Sequence, residues 1–415
     1  MIFRCYQILY KIFAKSAYVN LALNEGLKYV NEKDKKAITR IVYGVIEKNL
    51  FLEYVIKQLT KKYPHISDAV ILKIGIYQIY FMNEPEYAVV NNTVELAKKL
   101  KRSPSFINAI LRRCKDIKLP QDEYERKSLE YNVPVWAIKE VENDFGRDIA
   151  DLFFSHPKEL LTHIRHNPKK ISKENFEKYL DFGIDKKTEY GYYVCHNTLK
   201  KLNSIDNSLF TVQSLGSMAV CMAAGVKDGD KVLDVCAAPG GKSVFLRQLA
   251  DISLIACDLH PHRIDLINAY KARMNENDIT VIQNDATVFR PEWEKRFDLV
   301  LCDVPCSGLG VIGSRADIFE HKTQENIEDL TKLQYQIIAA SSKYVKEGGH
   351  LVYSTCTILK KENQNIVDRF LIENPDFEAV PINIDVNYIK IGNYAQLIPH
   401  ISNTDGFFIA KVRRK

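Results

Sequence analysis

From about residue 206 onward, the sequence alternates between short β-rich runs and segments that can form helices. The β-rich runs are KVLDVCA, SLIACDL, ITVIQND, FDLVLCDV and GGHLVYSTC, and one helical candidate between them is 322–346. This alternation is typical of βαβ units, which build a largely parallel, doubly wound sheet. Ligands of such sheets bind at the carboxyl ends of the strands. The sequence therefore predicts an α/β domain over 206–415. It also predicts that a ligand-binding site lies at the carboxyl ends of the strands of its sheet.

The rest of the chain has a different character. With 415 residues, the chain is longer than the length that one hydrophobic core ordinarily serves, so we expect two or three domains. Residues 1–125 show helical periodicity, and 66–82 is apolar nearly all round, which predicts a central helix. Residues 126–205 are mixed and polar, and they predict a small α+β connector.

The charge is mild overall but unevenly distributed. The net charge is +6, yet the stretch 98–115 holds seven Lys or Arg residues and no acid. Such a stretch is either a solvated helix face or a contact surface for nucleic-acid phosphates. The sequence leaves both interpretations open.

Nine scattered cysteines do not form the pattern of a disulfide scaffold. Polar residues interrupt the first apolar stretch at Arg4, Gln7 and Lys11, so no secretory leader is evident. No apolar run reaches the ~18 residues that a membrane span needs. We therefore expect a cytoplasmic protein with reduced thiols, without a membrane association.

The first β-rich run leads into a small-residue turn. LDVCAAPGGKS (233–243) combines a strand, a Gly-rich turn and a helix start, where backbone N–H groups can receive a ligand. It lacks the dinucleotide and phosphate-loop patterns, so NAD and ATP fit poorly. Asp258 ends the next strand and is placed to hold ribose hydroxyls, and Asp285 ends the third, near an adenine. The alternative is that Asp258 and Asp285 only cap helices.

Two later β-rich runs both end at a cysteine among small polar residues. Cys306 follows Asp303 in DVPCSG, and Cys356 lies in STCT. Together with CAAPGGK, these motifs resemble the RNA cytosine-C5 methyltransferases of the RsmB/Sun and Nop2/Sun family. Three further segments, DKKAITRIVYGVIEKN, EYAVVNNTVELAKKL and FINAILRR, are similar to the NusB-like RNA-binding domain that precedes the catalytic domain in small-subunit rRNA enzymes of that family. The closing DGFFIAKVRR resembles the family's last strand.

The resemblance implies a complete architecture and a cofactor. It implies a NusB-like helical domain (1–125), the connector (126–205) as an RNA-binding subdomain, and a Rossmann-like methyltransferase domain (206–415) with a mostly parallel, seven-stranded sheet. It also implies S-adenosyl-L-methionine, bound by Cys236, Ala237, Ala238, Pro239, Gly240, Gly241, Lys242, Asp258, Asp285 and Asp303.

The chemistry of cytosine explains why two cysteines are needed. Carbon 5 is a poor nucleophile, and addition of a thiolate at C6 makes it enamine-like. The C5 proton and the thiolate must then leave. By resemblance, Cys356 is the nucleophile and Cys306 assists release, whereas DNA enzymes use the Pro-Cys thiol. Asp303 can hydrogen-bond the cytosine edge, and Lys242 can lower a thiol pKa. For the other cysteines we expect packing roles: Cys5, Cys114, Cys195, Cys221, Cys302 and, as a thiol, Cys236.

The sequence departs from the family pattern near the substrate. Ser214 stands where the family usually has an acid after a glutamine. After PCSG, the family usually shows a basic residue, then Pro-Asp and Trp, but this chain has Arg315, Ala316, Asp317 and Phe319. These differences put the RNA-facing loop in question, not the chemistry.

The leading hypothesis is therefore methylation of cytosine C5 in 16S rRNA, free or in an early small-subunit particle, by a monomer without a metal. One alternative is the same reaction on tRNA or large-subunit rRNA. Another is a non-catalytic RNA-binding or antitermination factor, which residues 1–125 alone would satisfy. The missing dinucleotide fingerprint disfavours a dehydrogenase.

Overall fold

The computed structural model describes residues 1–155, 162–313, 315, 317–320 and 322–415. The chain divides into two compact units. The N-terminal unit comprises Met1–Ala150 and Arg315–Gln324, and the C-terminal unit comprises Asp151–Ser314 and Glu325–Lys415. The division at residues 125 and 205 stays a prediction.

The N-terminal unit is a bundle of helices, as its periodicity predicted. Its helices are α1 (Ile2–Lys15), α2 (Val19–Leu27), α3 (Glu32–Glu47), α4 (Asn49–Leu59), α5 (Ile66–Phe81), α6 (Glu86–Lys99), α7 (Pro104–Arg112), α8 (Glu123–Tyr131) and α9 (Val135–Phe145). Helix α5 is buried from Ser67 to Ile79 and contacts α1, α3, α4, α6 and α7. Gly44 of α3 permits this packing, because a Cβ there would overlap the Tyr77 ring. The prediction of a central helix is confirmed.

A small antiparallel sheet opens the C-terminal unit. After α10 (Arg147–Ser155), the elements are β1 (Thr162–His166), α11 (Lys173–Glu177), β2 (Lys186–Lys187), β3 (Tyr192–Val194), α12 (His196–Leu202) and β4 (Phe210–Val212). The strand order is β2-β3-β1-β4. Ile164, Phe176, Val194 and Phe210 belong to a core of its own. This region has the expected α+β character.

The large sheet follows. Its elements are α13 (Leu215–Ala224), β5 (Lys231–Asp234), α14 (Gly241–Leu249), β6 (Ser253–Asp258), α15 (Pro261–Arg273), β7 (Thr280–Gln283), β8 (Phe297–Asp303), α16 (Gln324–Ser342), β9 (Val345–Thr355), α17 (Gln364–Glu373), β10 (Phe377–Val380), β11 (Ile389–Ile391), β12 (Tyr394–Leu397), α18 (Pro399–Ser402) and β13 (Phe407–Arg414). The strand order is β11-β12-β13-β9-β8-β5-β6-β7, and β10 also pairs with β13. Strands β7, β6, β5, β8 and β9 run parallel, and the others are antiparallel.

The fold class is confirmed, but the described sheet has nine strands rather than seven. The two additional strands, β10 and β11, are only four and three residues long. Strand β12 pairs with Phe407–Ile409 of β13, and β10 pairs with Lys411–Arg414. Strands β10 and β11 both lie in the antiparallel part of the sheet, outside the alternation of strands and helices on which the prediction rested. Among the described residues, no helix combines the length and apolarity that a membrane span requires.

Candidate active site

Four neighbouring parallel strands of the large sheet end at the same edge. Strand β5 ends at Asp234 and β6 ends at Asp258. Strand β8 ends at Asp303 and β9 ends at Thr355. Since the strands are parallel, their carboxyl ends converge there. The structure therefore brings the predicted motifs CAAPGGK, DVPCSG and STCT to one edge, as the sequence pattern indicated.

The CAAPGGK loop is held at both ends by Asp234. One Asp234 oxygen accepts a hydrogen bond from the Cys236 N–H (3.4 Å), and the other accepts one from the Ser243 hydroxyl (2.6 Å). Burial raises the pKa of Asp234 to about 7, although the Ser243 hydrogen bond lowers it. The sequence analysis missed Asp234. Its position at the end of the first parallel strand was the available signal.

Helix α14 begins directly after this loop. Gly240 precedes it with φ of 107°, a left-handed conformation that favours glycine. Among the described residues, no side chain caps this helix start. The first-turn N–H groups therefore keep their capacity to bind an acceptor on a ligand.

The two other predicted cofactor acids differ in environment. Asp258 is 2 % exposed and accepts a hydrogen bond from the Ala238 N–H at 3.3 Å. It also lies 3.4 Å from an Arg263 guanidinium nitrogen. Asp285 is exposed and accepts hydrogen bonds from the Thr287 N–H (2.9 Å) and hydroxyl (2.7 Å). Asp285 thus makes a local turn at which no described helix begins, whereas Asp258 accepts both from the loop and, at 3.4 Å, from the His260 N–H just before α15.

These residues fit a cofactor with a ribose and an amino-acid moiety. A left-handed glycine, an uncapped helix start and a buried acid surround one strand end, as nucleoside ligands of doubly wound sheets require. The loop and Asp258 would hold S-adenosyl-L-methionine. Each residue's role in cofactor binding stays a prediction.

Lys242 and Asp303 connect the loop to the next strand. The Lys242 ammonium lies 2.8 Å from one Asp303 oxygen, and the Ser354 hydroxyl donates to the other at 2.7 Å. Burial alone lowers the pKa of Lys242, but the charge of Asp303 and the hydrogen bond to it outweigh burial and raise it. The charge of Cys356 acts in the same direction. Lys242 therefore stays a cation beside the cysteine motifs.

The two motif cysteines are in contact. The Cys306 and Cys356 sulfur atoms are 3.3 Å apart, although 50 residues separate them in the chain. Both are half-buried. The hydrogen bond to Cys356 and burial raise the pKa of Cys306 well above its ordinary value. The structure thus places a proton-retaining thiol against a second thiol at the sheet edge.

The remaining cysteines have different surroundings. Burial raises the pKa of Cys5, Cys221 and Cys302 to about 12 and that of Cys114 to about 11, as packing residues would show. The prediction of a buried packing role for Cys195 is wrong. It is only half-buried, and hydrogen bonds involving Thr198 lower its pKa.

The basic stretch 98–115 is largely neutralised by acids from elsewhere. Lys98 lies 2.6 Å from Glu95, and Arg102 pairs with Asp68 at 2.6 Å. Further ion pairs are Arg113 with Asp116 and Lys115 with Glu86. The stretch contains seven basic residues and no acid in the sequence, but in the folded protein acids outside the stretch pair with four of these basic residues.

The departures from the family pattern have local roles. Ser214 caps α13, because its side chain accepts a hydrogen bond from the Ser217 N–H at 3.2 Å. Asp317 accepts one from the Val19 N–H at 3.3 Å, and Phe319 packs edge-on against Trp136. Ala316 lies outside the described residues.

A doubly wound sheet with a Gly-rich loop after its first parallel strand, and acids at the following strand ends, is the architecture of a nucleoside-cofactor site, and the family match identifies the domain as an S-adenosyl-L-methionine-dependent methyltransferase. Residues 221–413 match the family "16S rRNA methyltransferase RsmB/F", and residues 4–116 match the NusB family. The chain belongs to the RsmB/F (Sun) family of methyltransferases with an N-terminal NusB-like domain.

Individual relatives agree with this assignment. A probable ribosomal RNA small subunit methyltransferase B of Bacillus subtilis is 30% identical over 99% of this chain and 97% of its own length. The corresponding enzyme of Shewanella oneidensis is 29% identical over 97% of this chain and 96% of its own length. Among solved structures, PH0851 has a TM-score of 0.85 at 23% identity and covers 99% of this chain and 98% of its own. NSun6 from Pyrococcus horikoshii with SFG has a TM-score of 0.60 at 23% identity, over 68% of this chain and 98% of its own.

Proposed function

We propose that this enzyme methylates carbon 5 of cytosine in small-subunit ribosomal RNA through a covalent adduct between Cys356 and cytosine C6. The observation that carries the proposal is the pair of cysteine sulfur atoms, 3.3 Å apart, at the sheet edge that also holds the cofactor loop. A reaction that needs one thiol to attack and a second to help undo the adduct requires this arrangement.

The environment of the thiols supports the assignment of roles. Cys306 has a raised pKa because it hydrogen-bonds Cys356 and is buried, so it retains its proton. Cys356 lies within the electrostatic reach of the Lys242 cation, which favours a thiolate. In agreement with what the family resemblance implies, we assign Cys356 as the attacking thiolate and Cys306 as the residue that assists product release.

Asp303 and Lys242 complete the proposed catalytic set. Asp303 is held by Lys242 on one oxygen and by Ser354 on the other, and this fixed carboxylate would hydrogen-bond the polar edge of a bound cytosine. S-adenosyl-L-methionine, when bound, supplies an electrophilic methyl group. The protein holds the base, makes C5 nucleophilic through the thiolate, and afterwards removes the C5 proton and breaks the C6–S bond.

The RNA class comes from the relatives. Those of Bacillus subtilis and Shewanella oneidensis are named ribosomal RNA small subunit methyltransferase B, and they match this chain almost end to end. We therefore expect 16S rRNA, free or in an early particle, as the substrate of a cytoplasmic monomer. The cysteine pair with Lys242 and Asp303 argues against a non-catalytic antitermination factor.

Bisulfite sequencing of total RNA tests this function. A deletion strain should lose one or more 5-methylcytosines in 16S rRNA, the wild-type gene should restore them, and Cys356→Ala should not. Loss of a methyl group only from tRNA or large-subunit rRNA would replace the substrate assignment. An unchanged 5-methylcytosine pattern in all RNA would refute the proposal.

A further inference from the structure

A carboxylate that the sequence analysis did not single out is hydrogen-bonded to the residue that follows Cys306. Glu362 has 0% exposure, and its side chain accepts three hydrogen bonds from neutral donors. These are the Ser307 N–H at 2.8 Å, the Ser307 hydroxyl at 2.5 Å and the Gln334 amide at 3.0 Å. A buried charged side chain is costly unless its surroundings compensate it, so a specific role must explain its place.

The first link runs from Glu362 to Cys306. Ser307 directly follows Cys306, and both its backbone N–H and its hydroxyl donate to Glu362. On the other side of the loop, the Gln334 amide donates to Glu362 and to the Pro305 carbonyl, at 2.9 Å in the latter case. The residues before and after Cys306 are therefore both anchored to one carboxylate.

The second link runs toward Cys356. The Ser307 hydroxyl also lies 2.8 Å from the hydroxyl of Thr357, which directly follows Cys356. Glu362, Ser307 and Thr357 thus form one buried chain of hydrogen bonds that joins the two cysteine loops. This chain fixes the position of one thiol relative to the other.

Charge differs on the two sides of the cysteine pair. Glu362 contacts the peptide unit next to Cys306, and a nearby carboxylate disfavours a second negative charge. The Lys242 cation acts on Cys356. Cys306 consequently has a carboxylate bonded to the residue that follows it, whereas Cys356 lies in the field of the Lys242–Asp303 ion pair.

We propose that Glu362 is a positioning residue that gives the two thiols their different roles: through Ser307 it places Cys306, and its charge keeps the proton on Cys306 so that Cys356 carries the thiolate. The inference rests on the proposed cytosine-C5 function and adds to it the origin of the asymmetry. The raised pKa of Cys306 agrees with it, because the Cys356 hydrogen bond, burial and the charges of Cys356 and Glu362 all raise that pKa.

Several ionisable side chains among the described residues act on Cys306. Cys356 contacts it directly, and Glu362 acts through Ser307. Tyr353 of β9 is also near, and its hydroxyl donates to the Glu362 backbone carbonyl at 2.6 Å. Burial raises the pKa of Tyr353 well above its ordinary value, so it stays neutral while the thiols titrate.

Alkylation of the wild-type protein tests the inference without any folding concern. Iodoacetamide reacts with thiolates, and mass spectrometry after digestion separates the rates at Cys306 and Cys356. Under reducing conditions near neutral pH, Cys356 should react at least about tenfold faster, since one pKa unit changes the thiolate fraction tenfold. Faster reaction at Cys306 would overturn the proposal.

Glu362→Gln tests the charge itself. The amide has the same shape and can still accept from the Ser307 N–H, so the ratio of the two rates should fall to within about threefold. Glu276→Gln is the matched control, because Glu276 is another buried carboxylate of the C-terminal unit, paired with Lys169 at 3.4 Å. It should leave the ratio unchanged. A wild-type ratio in folded Glu362→Gln would overturn the proposal.

Ser307→Ala separates positioning from charge. It removes the hydroxyl bridge to Thr357 but leaves the Glu362 carboxylate, so the preference for alkylation at Cys356 should persist while methyl transfer slows. Loss of the preference in this variant would mean that Glu362 acts by position alone. Since alkylation uses neither RNA nor cofactor, these results stand apart from the test of the cytosine-C5 function.

Discussion

The ammonium of Lys242 lies 2.8 Å from the carboxylate of Asp303, and this ion pair joins the CAAPGGK loop to the strand that precedes Cys306. Lys242 comes from the first turn of α14, and Asp303 is the last residue of β8. Ser354 of β9 holds the other Asp303 oxygen. Three elements thus fix one charged pair where the cofactor and cysteine motifs meet.

Loss of the Lys242 charge should impair catalysis. Lys242→Met keeps most of the length of the side chain but leaves Asp303 without its cation, so methyl transfer should fall by about 10² or more. Lys346→Met is the control, because Lys346 forms a more exposed ion pair with Asp298 at the other end of β8, and it should change activity little. A labelled methyl-transfer assay compares them. Equal activities would remove Lys242 from the catalytic set.

The two cysteine variants should fail differently. Cys356→Ala cannot attack C6, so it should be inactive and form no covalent RNA adduct. Cys306→Ala can attack but should stall before release, so a denaturant-resistant protein–RNA species should accumulate with cofactor present. A denaturing gel with labelled RNA distinguishes them. An adduct formed by Cys356→Ala would reverse the assigned roles, and normal turnover in both variants would mean packing roles only.

Asp258 should matter for cofactor affinity. Asp258→Ala should weaken S-adenosyl-L-methionine binding by roughly 1–3 kcal/mol, because hydrogen bonds to a charged group are lost. Asp285→Ala is the comparison. It removes an exposed carboxylate that accepts hydrogen bonds from Thr287 in a local turn, so it should have a smaller effect. Calorimetry measures both, and NAD should not bind. An unchanged affinity in Asp258→Ala would exclude it from the ribose site.

Some cations of the basic stretch 98–115 are not members of the ion pairs described above. We expect these exposed cations to contact RNA. Lys101 and Arg112 are exposed, and Arg112 donates a hydrogen bond to the neutral Asn108 side chain at 3.1 Å. Changing both to Gln should weaken RNA binding and reduce the salt slope by roughly one unit per lost phosphate contact. Changing Lys35 and Lys57, which pair with Glu32 and Glu53, is the control. If the variant and the wild-type protein had equal salt slopes for RNA binding, the basic stretch would be only a solvated surface.

A buried histidine should make stability depend on pH. Burial lowers the pKa of His163 to about 4, although the Gln213 carbonyl contact raises it. Between the ordinary value near 6.5 and about 4, the unfolded chain binds a proton that the folded chain does not, so stability is lost as pH falls through this range. The loss should reach about 3 kcal/mol and should shrink in His163→Gln. Urea unfolding measures it, with exposed His262→Gln as the control. Parallel pH curves for His163→Gln and the wild-type protein would contradict the assignment.

Local patterns predicted much of the fold. The alternation of β-rich and helical runs predicted the parallel sheet, and the apolar stretch 66–82 predicted the buried helix α5. The small-residue turn predicted the loop before α14. These features depend on side-chain period and turn chemistry, which a few consecutive residues encode.

The sequence by itself determined the fold class, the small-residue loop before α14 and the identity of the two candidate cysteines. Only the tertiary structure decided that the Cys306 and Cys356 sulfur atoms are 3.3 Å apart, that Glu362 is hydrogen-bonded to Ser307, and that Asp68 pairs with Arg102. The physical reason is the range of the interactions. Periodicity acts within one helix or strand, whereas an ion pair or a hydrogen bond between distant residues exists only after packing has brought their elements together.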